Sequence, residues 1–198
     1  MSVTNFQESI LIISALKNSM QNDLIVFKRY IEDEDLKFSL NNKMLIDIAS
    51  FLDEWKRFNH YAKDDDVLKE TLSIASPALK RIKKWKGIQS MRNTMLAHGF
   101  RDGENPGKIT CINKRYFTAN VPTTYAEVML LSEYAVYAIS AVICRHNLDH
   151  EIALASIPSH ELEVERGIQT MGEFEEAVSE LEQYMFNKDP SLKIAFGV

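Results

Sequence analysis

One segment near the middle of the chain combines the side chains best suited to chemistry. It reads SMRNTMLAHGF, and it places Arg92 directly before Asn93 and six positions before His98. An arginine can make two parallel hydrogen bonds to phosphate oxygens and can stabilise charge that grows in a transition state. A histidine titrates near neutral pH, so His98 can move a proton onto or off an oxygen. With Asn93 orienting the substrate or the imidazole, these residues predict metal-independent phosphodiester cleavage.

The spacing constrains how Arg92 and His98 could act together. On a regular helix, six steps put His98 about 120° around the axis from Arg92, so the two share no face. Either the helix unwinds near His98, or a second subunit completes the site. A two-fold dimer that sets two such helices side by side would line one cleft with two arginines and two histidines. A helix carboxyl end also favours a protonated imidazole, which suits a general acid.

The segment is preceded by an acid-free, strongly basic run. No Asp or Glu occurs between Thr71 and Arg101, whereas the chain as a whole carries a formal charge of −5. Such a run is either a solvated helix face or a surface that attracts phosphate, and its place beside the Arg92 segment favours the second interpretation. The candidate RNA-binding residues are Lys80, Arg81, Lys83, Lys84, Lys86 and Arg101.

Arg92, Asn93 and His98 together resemble the R-x(4–6)-H signature of the HEPN superfamily (higher eukaryotes and prokaryotes nucleotide-binding domains). The polar residue after the arginine is part of that signature, and Asn93 fits it. The resemblance implies an all-α bundle, commonly a homodimer, of a superfamily with many metal-independent ribonucleases in toxin–antitoxin, abortive-infection and CRISPR systems. Phe100 occupies the place of a tyrosine that antitoxin enzymes modify in some members. A stand-alone or abortive-infection-type member is therefore the better analogy.

The resemblance also implies a reaction and its partners. Arg92 and His98 would be the catalytic pair, with Asn93 assisting, and the ribose 2′-hydroxyl would attack the adjacent phosphate to leave a 2′,3′-cyclic phosphate. RNA would be the substrate because DNA lacks that hydroxyl. No cofactor or metal is implied, and an antitoxin protein is a possible partner. Inactive HEPN domains serve as binding modules, so a non-catalytic domain that binds nucleic acid, nucleotide or protein is the alternative.

Composition bounds the class of protein. The chain has 198 residues, 45% of them hydrophobic, and few glycines and prolines (7 and 5), which favours a helical fold over a turn-rich sandwich or barrel. The two cysteines and the lack of a basic region before the first apolar stretch favour a cytoplasmic protein without a membrane anchor. We expect a single domain over residues 1–198.

Hydrophobic periodicity predicts an antiparallel all-α bundle. The first helix carries an apolar stripe from Phe6 to Phe27, a second follows Ser39, and Asp64–Asp66 cap a third. Ser76 and Pro77 predict a fresh helix start, which runs to His98 with a weak point at Gly87. A short hairpin or extended insertion is expected over residues 101–121. A very apolar core helix then covers Val128 to Cys144, and Thr170 with Glu173 begins the last helix.

Other residues have simpler interpretations. His146 and His150 have a metal-ligand spacing, but no third ligand is evident, so we interpret them as exposed helix-end histidines and expect no metal site. Cys144 fits a small buried hydrophobe. Trp85 among the lysines could stack on bases, but an anchor of the basic helix is the favoured role. Tyr125, Tyr134 and Tyr137 belong to packing or a dimer interface. A purely structural role for Arg92 and His98 is the third alternative.

Overall fold

The computed structural model describes residues 3–93, 119–157, 167–191 and 193. The chain divides into two compact units, Met1–Ile157 and Pro158–Val198, and each is considered separately. The described residues form helices and no strands, which confirms the all-α class. The seven helices in these ranges are α1 (Asn5–Arg29), α2 (Glu34–Tyr61), α3 (Asp66–Ile82), α4 (Ile88–Met91), α5 (Tyr125–Arg145), α6 (Asn147–Ala155) and α7 (Met171–Lys188).

Helices α1 and α2 form an antiparallel pair. The four residues between them force the chain to reverse, and the rings of Phe6 and Phe58 meet edge to face with centroids 5.9 Å apart. Polar contacts continue this register along the pair: Ser9 with Glu54, Ser19 with Asp47, and Asp23 with Lys43. The paired register fixes where each residue of α2 lies in the bundle.

Helix α5 packs against α1, α2 and α3 and carries eight buried residues. It runs antiparallel to α1, because Phe27 meets Tyr125 near one end and Phe6 meets His146 near the other. It also runs antiparallel to α3, through the pairs Arg81–Glu127 and Glu70–Arg145. Its length and hydropathy would suit a membrane span, yet the apolar stripe from Val128 to Val142 lies in the protein core. The antiparallel bundle and its core helix agree with the sequence prediction.

Two predicted helix boundaries are wrong. Helix α2 begins at Glu34 rather than after Ser39, because Asp33 accepts a hydrogen bond from Leu36 N at 2.9 Å and so caps the helix. The second error is the fresh start at Ser76–Pro77. Proline interrupts one hydrogen bond of the helix, but α3 passes through Pro77 without a break.

Packing explains why α3 continues through the proline. A stripe of buried side chains extends along α3 on both sides of Pro77: Leu68, Thr71, Ala75, Leu79 and Ile82. This stripe packs on α5, and burying it stabilises one continuous helix by more than the lost hydrogen bond costs. Pro77 has no N–H to donate to the carbonyl of Ser73, four residues earlier. Both residues lie on the exposed side of the helix. The predicted break near Gly87 is confirmed, since α3 ends at Ile82 and α4 starts after Gly87.

The second unit contains one long described helix, α7. Thr170 accepts from Glu173 N, and the Glu173 side chain accepts from the Thr170 backbone in return, which confirms the predicted capping box. None of the residues of α7 is buried within the described structure. Its apolar stripe, with Phe174, Val178 and Leu181, is exposed.

Candidate nucleic-acid interface

The short helix α4 presents Arg92. Ile88 and Met91 are buried and anchor α4 in the bundle, whereas Gln89 and Arg92 are only half-buried. The backbone remains helical at Arg92, with φ −53° and ψ −50°. Arg92 therefore projects from a short anchored helix rather than from the long continuous one that the sequence predicts.

Two of the described residues contact the guanidinium of Arg92. Nη1 lies 2.8 Å from Oδ2 of Asp53 on α2, and Nε donates to Oδ1 of Asn93 at 3.0 Å. Arg92 and Asn93 thus form one hydrogen-bonded unit. The Arg92 side chain is 25% exposed, so it remains accessible to a phosphate.

Asp53 connects α2 to α4. Its Oδ1 accepts hydrogen bonds from Gln89 Nε2 at 2.6 Å and from Lys56 Nζ at 3.0 Å, while Oδ2 pairs with Arg92. Partial burial acts to raise the pKa of Asp53, but the hydrogen bonds from Lys56 and Arg92 outweigh burial and lower the pKa below its usual value. Asp53 is therefore ionised at neutral pH and balances part of the positive charge around Arg92.

The basic run is anchored to α5 at its middle. Arg81 Nη2 donates to Glu127 Oε2 at 2.6 Å, and Trp85 Nε1 donates to Glu127 Oε1 at 2.9 Å. Partial burial acts to raise the pKa of Glu127, and the hydrogen bonds from Trp85 and Arg81 outweigh it, so the pKa is lowered. The predicted anchoring role of Trp85 is confirmed. Glu127 uses its side chain for this contact, while its backbone N–H donates to Thr124.

The turn between α3 and α4 is tied to the residues that precede α5. Gly87 N donates to Asn120 O at 2.8 Å, and Lys86 N donates to Asn120 Oδ1 at 3.0 Å. A Cβ added at Gly87 would lie 2.8 Å from the backbone N and O of Asn120, so only glycine allows this approach. This contact sets the position from which α4 and Arg92 start.

Four of the candidate RNA-binding residues form an exposed cluster, defined as Lys80, Lys83, Lys84 and Lys86. No described residue forms an ion pair with any of them, although Lys84 is close enough to Glu127 to contribute to its lowered pKa. Arg81 differs, since its guanidinium pairs with Glu127. Within the described ranges, the lysine cluster therefore carries positive charge without an ion-pair partner, on a chain that is acidic as a whole.

Several predictions fall outside the described residues. His98, Arg101 and Phe100 belong to this group, as does the predicted insertion over 101–121 except for residues 119–121. The structure therefore places Arg92 and Asn93 together at the end of α4, which follows the turn that carries Lys83, Lys84 and Lys86. The pairing of Arg92 with His98 stays a prediction.

Two side-chain predictions elsewhere are wrong. Cys144 is exposed, because it lies on the outer side of α5. His146 is buried rather than exposed, since it occupies the junction between α5 and α6 and packs edge to face on Phe6 at 5.2 Å. His150 Nε2 lies 3.2 Å from Ser14 Oγ. Within the described ranges, no group of three or more His, Cys, Asp or Glu is placed to hold a metal ion.

The predicted interface tyrosines occupy different surroundings. Tyr125 packs on Phe27, whereas Tyr134 and Tyr137 line an open, mainly apolar groove of about 700 Å³ between α3 and α5. Tyr137 is 71% exposed. The groove also includes Pro77 and Arg81. Of the two predicted roles, packing is confirmed for Tyr125 and Tyr134, and an interface remains a prediction for Tyr137.

Sequence reasoning missed Asp53, Gln89 and Asn120. Asp53 belongs to an ordinary charged face of α2, 39 positions before Arg92, and no spacing rule connects the two. Gln89 and Asn120 act through contacts that depend on the break at Gly87. That break was the one available signal, since a helix interruption next to a candidate arginine indicates that other elements must position it.

No match to this chain is found among protein-family models, curated proteins or solved structures. The family resemblance therefore depends on Arg92, Asn93 and His98 and on the helical class.

Proposed function

We propose that the protein is a metal-independent endoribonuclease of the HEPN type. The observation that carries the proposal is the hydrogen-bonded pair of Arg92 and Asn93, in which Arg92 is half-buried at the end of α4, and α4 directly follows the exposed lysine cluster in the chain. An arginine that can bind phosphate and a basic surface that attracts RNA would supply the electrostatic part of phosphodiester cleavage.

Arg92 supplies the electrostatic part of the reaction. Its guanidinium is permanently charged and can donate to the two non-bridging oxygens of a phosphate. Negative charge grows on those oxygens as the ribose 2′-oxygen attacks phosphorus, so Arg92 stabilises the transition state more than the ground state. Asn93 keeps Nε engaged and offers its amide N–H groups to a substrate oxygen.

His98 supplies the proton transfers in this proposal, on the basis of its place in the motif. The 2′-hydroxyl loses its proton, its oxygen bonds to phosphorus, and the 5′-oxygen of the next nucleotide leaves and gains a proton. The products are a 2′,3′-cyclic phosphate and a 5′-hydroxyl, and no water is consumed. One imidazole can act as base or acid, and two copies in a homodimer can divide the roles.

The proposed biological role is that of a toxin or antiphage effector in the cytoplasm. Such an enzyme would act on cellular or phage RNA, and a cognate antitoxin protein would restrain it. This role follows from the HEPN resemblance and depends on the ribonuclease activity: without that activity, it would be ruled out.

The second candidate is a non-catalytic module that binds RNA. The lysine cluster favours it, because four exposed ammonium groups without ion-pair partners among the described residues can bind a phosphate backbone without any chemistry. In that case Arg92 would add one phosphate contact, and RNA would be bound intact.

The test is incubation of a 5′-labelled RNA pool with purified protein in EDTA. Wild type is compared with Arg92→Ala and His98→Ala, and with the matched exposed controls Arg29→Ala and His60→Ala. The proposal expects cleavage by wild type and both controls, and loss of cleavage in the two site variants. Cleavage that needs a divalent ion or survives both site substitutions contradicts it. RNA bound by all proteins but cut by none supports the binding module.

A further inference from the structure

We propose that Asp53 is a positioning residue for the ribonuclease reaction: it holds the Arg92 guanidinium in the orientation that receives the phosphate. This inference rests on the proposed function. Asp53 acts through Arg92 and does not touch the RNA.

The contacts of Arg92 restrict its orientation in two directions. Asp53 engages Nη1 and Asn93 engages Nε, so two points on the planar group are fixed. Nη2 has no hydrogen-bond or ion-pair partner among the described residues. A long arginine side chain otherwise samples many rotamers, and ordering it as charge grows on the phosphate would cost free energy in the transition state.

Asp53 is itself held in place. Its second oxygen, Oδ1, accepts from Gln89 at 2.6 Å and from Lys56 at 3.0 Å, so both oxygens have partners. Gln89 and Arg92 belong to the same turn of chain and reach the same carboxylate, which connects the α4 segment to α2. Asp53 belongs to α2, one of the long helices of the bundle. The position of the Arg92 guanidinium is therefore fixed by α2 and not only by the short helix α4.

The proposal separates catalysis from binding. Misplacement of a catalytic group by about 1 Å can reduce the rate by about 100-fold. Removing a carboxylate near the phosphate also removes a repulsion, so RNA binding should not weaken. Asp53→Asn is therefore expected to lower kcat by about 10- to 100-fold and to leave KM unchanged or slightly lower. A defect in folding alone would lower the rate only through the amount of folded protein, so kcat expressed per folded molecule would stay at the wild-type value.

The experiment measures kcat and KM on one RNA in EDTA, with concentrations corrected for the folded fraction. Wild type is compared with Asp53→Asn, Asp53→Glu and the control Asp47→Asn, which removes an ion pair with Lys43 from the same helix. Asp53→Glu keeps a carboxylate and should retain activity within a few-fold, and Asp47→Asn should match wild type. The Nε–H resonance of Arg92, assigned from its loss in Arg92→Lys, should shift in Asp53→Asn and not in Asp47→Asn.

The outcomes separate the two proposals. Wild-type cleavage with an unchanged kcat in Asp53→Asn overturns the role of Asp53 and leaves the ribonuclease function standing. A higher kcat in Asp53→Asn also overturns it, because Asp53 would then restrain Arg92. No cleavage by the folded wild type overturns the ribonuclease function and, with it, this inference.

Discussion

Arg81 of α3 and Glu127 of α5 form an ion pair with 2.6 Å between Nη2 and Oε2. Trp85 donates to the other oxygen of the same carboxylate, so one acidic group orders two residues of the basic run. The acid-free run from Thr71 to Arg101 is consequently divided into a structural part, Arg81 with Trp85, and an exposed lysine cluster. These two parts should respond differently to substitution.

Glu127→Gln should destabilise the protein. The oxygen of the new amide can accept a hydrogen bond from Arg81 or from Trp85, while the amide NH₂ group faces the other donor. One of the two donors, Arg81 or Trp85, therefore loses its hydrogen bond. The expected loss is about 1–3 kcal/mol in the free energy of unfolding, measured by urea denaturation at pH 7. Because Glu127→Gln leaves the lysine cluster in place, its sequence-independent affinity for RNA should equal that of wild type when both are compared at the same concentration of folded protein. An unchanged unfolding free energy would show that the carboxylate does not anchor the turn.

The effect of Glu127→Gln should depend on pH. The pKa of Glu127 is lowered in the folded protein, while an unfolded glutamate has a pKa of about 4.3. The ionised form therefore stabilises the fold above about pH 4.3, and this stabilisation is lost as the pH falls through the lower folded pKa. The difference between wild type and Glu127→Gln should be largest at pH 6–7 and shrink below about pH 4. A difference that grows on acidification would contradict the sign of the shift.

The lysine cluster should govern RNA affinity. The triple variant Lys80→Gln, Lys83→Gln and Lys84→Gln should bind single-stranded RNA more weakly. The slope of log affinity against log salt should fall by about 2, at about 0.7 for each phosphate contact removed. Fluorescence anisotropy over a salt series measures both quantities.

A charge-matched control shows whether this effect is local. Lys17→Gln, Lys28→Gln and Lys63→Gln remove the same charge from other places in the first unit. This control should retain the wild-type salt slope. Equal weakening in the two triple variants would indicate that net charge, and not the cluster, determines affinity.

Gly87→Ala should be destabilising although the backbone at Gly87 is an ordinary one, with φ −79°. The new Cβ would lie 2.8 Å from backbone atoms of Asn120, which cannot rotate away as a side chain could. The expected cost is about 1–3 kcal/mol, together with reduced RNA cleavage because Arg92 lies one helical turn further on. Gly172→Ala is the control: its nearest neighbour would be 3.9 Å away, and it should be neutral or stabilising. Equal behaviour of the two variants would contradict the close approach.

Local patterns were enough to predict most of the helices. The stripe from Phe6 to Phe27, the caps Asp65 and Thr170, and the apolar helix from Val128 all appear as predicted. Periodicity and capping are properties of neighbouring residues, so a sequence displays them directly.

Pairings between distant residues could not be predicted in this way. Asp53 meets Arg92, and Asn120 meets Gly87, only because the bundle brings their elements together. At Pro77, distant packing instead made a local prediction fail. The proline indicates a helix break, but the packing of α3 on α5 keeps the helix continuous. The sequence therefore identified Arg92 and Asn93 as candidates but not the carboxylate that positions Arg92.

The central claim is attack by the ribose 2′-hydroxyl with Arg92 stabilising the phosphate, and one substrate substitution tests it most directly. A single-stranded RNA that wild type cuts in EDTA is resynthesised with a 2′-O-methyl group at the nucleotide 5′ to the cut. The account predicts that this bond becomes resistant while neighbouring sites are still cut, and that unmodified products end in a 2′,3′-cyclic phosphate. Cleavage of the methylated bond at the original rate would contradict the account.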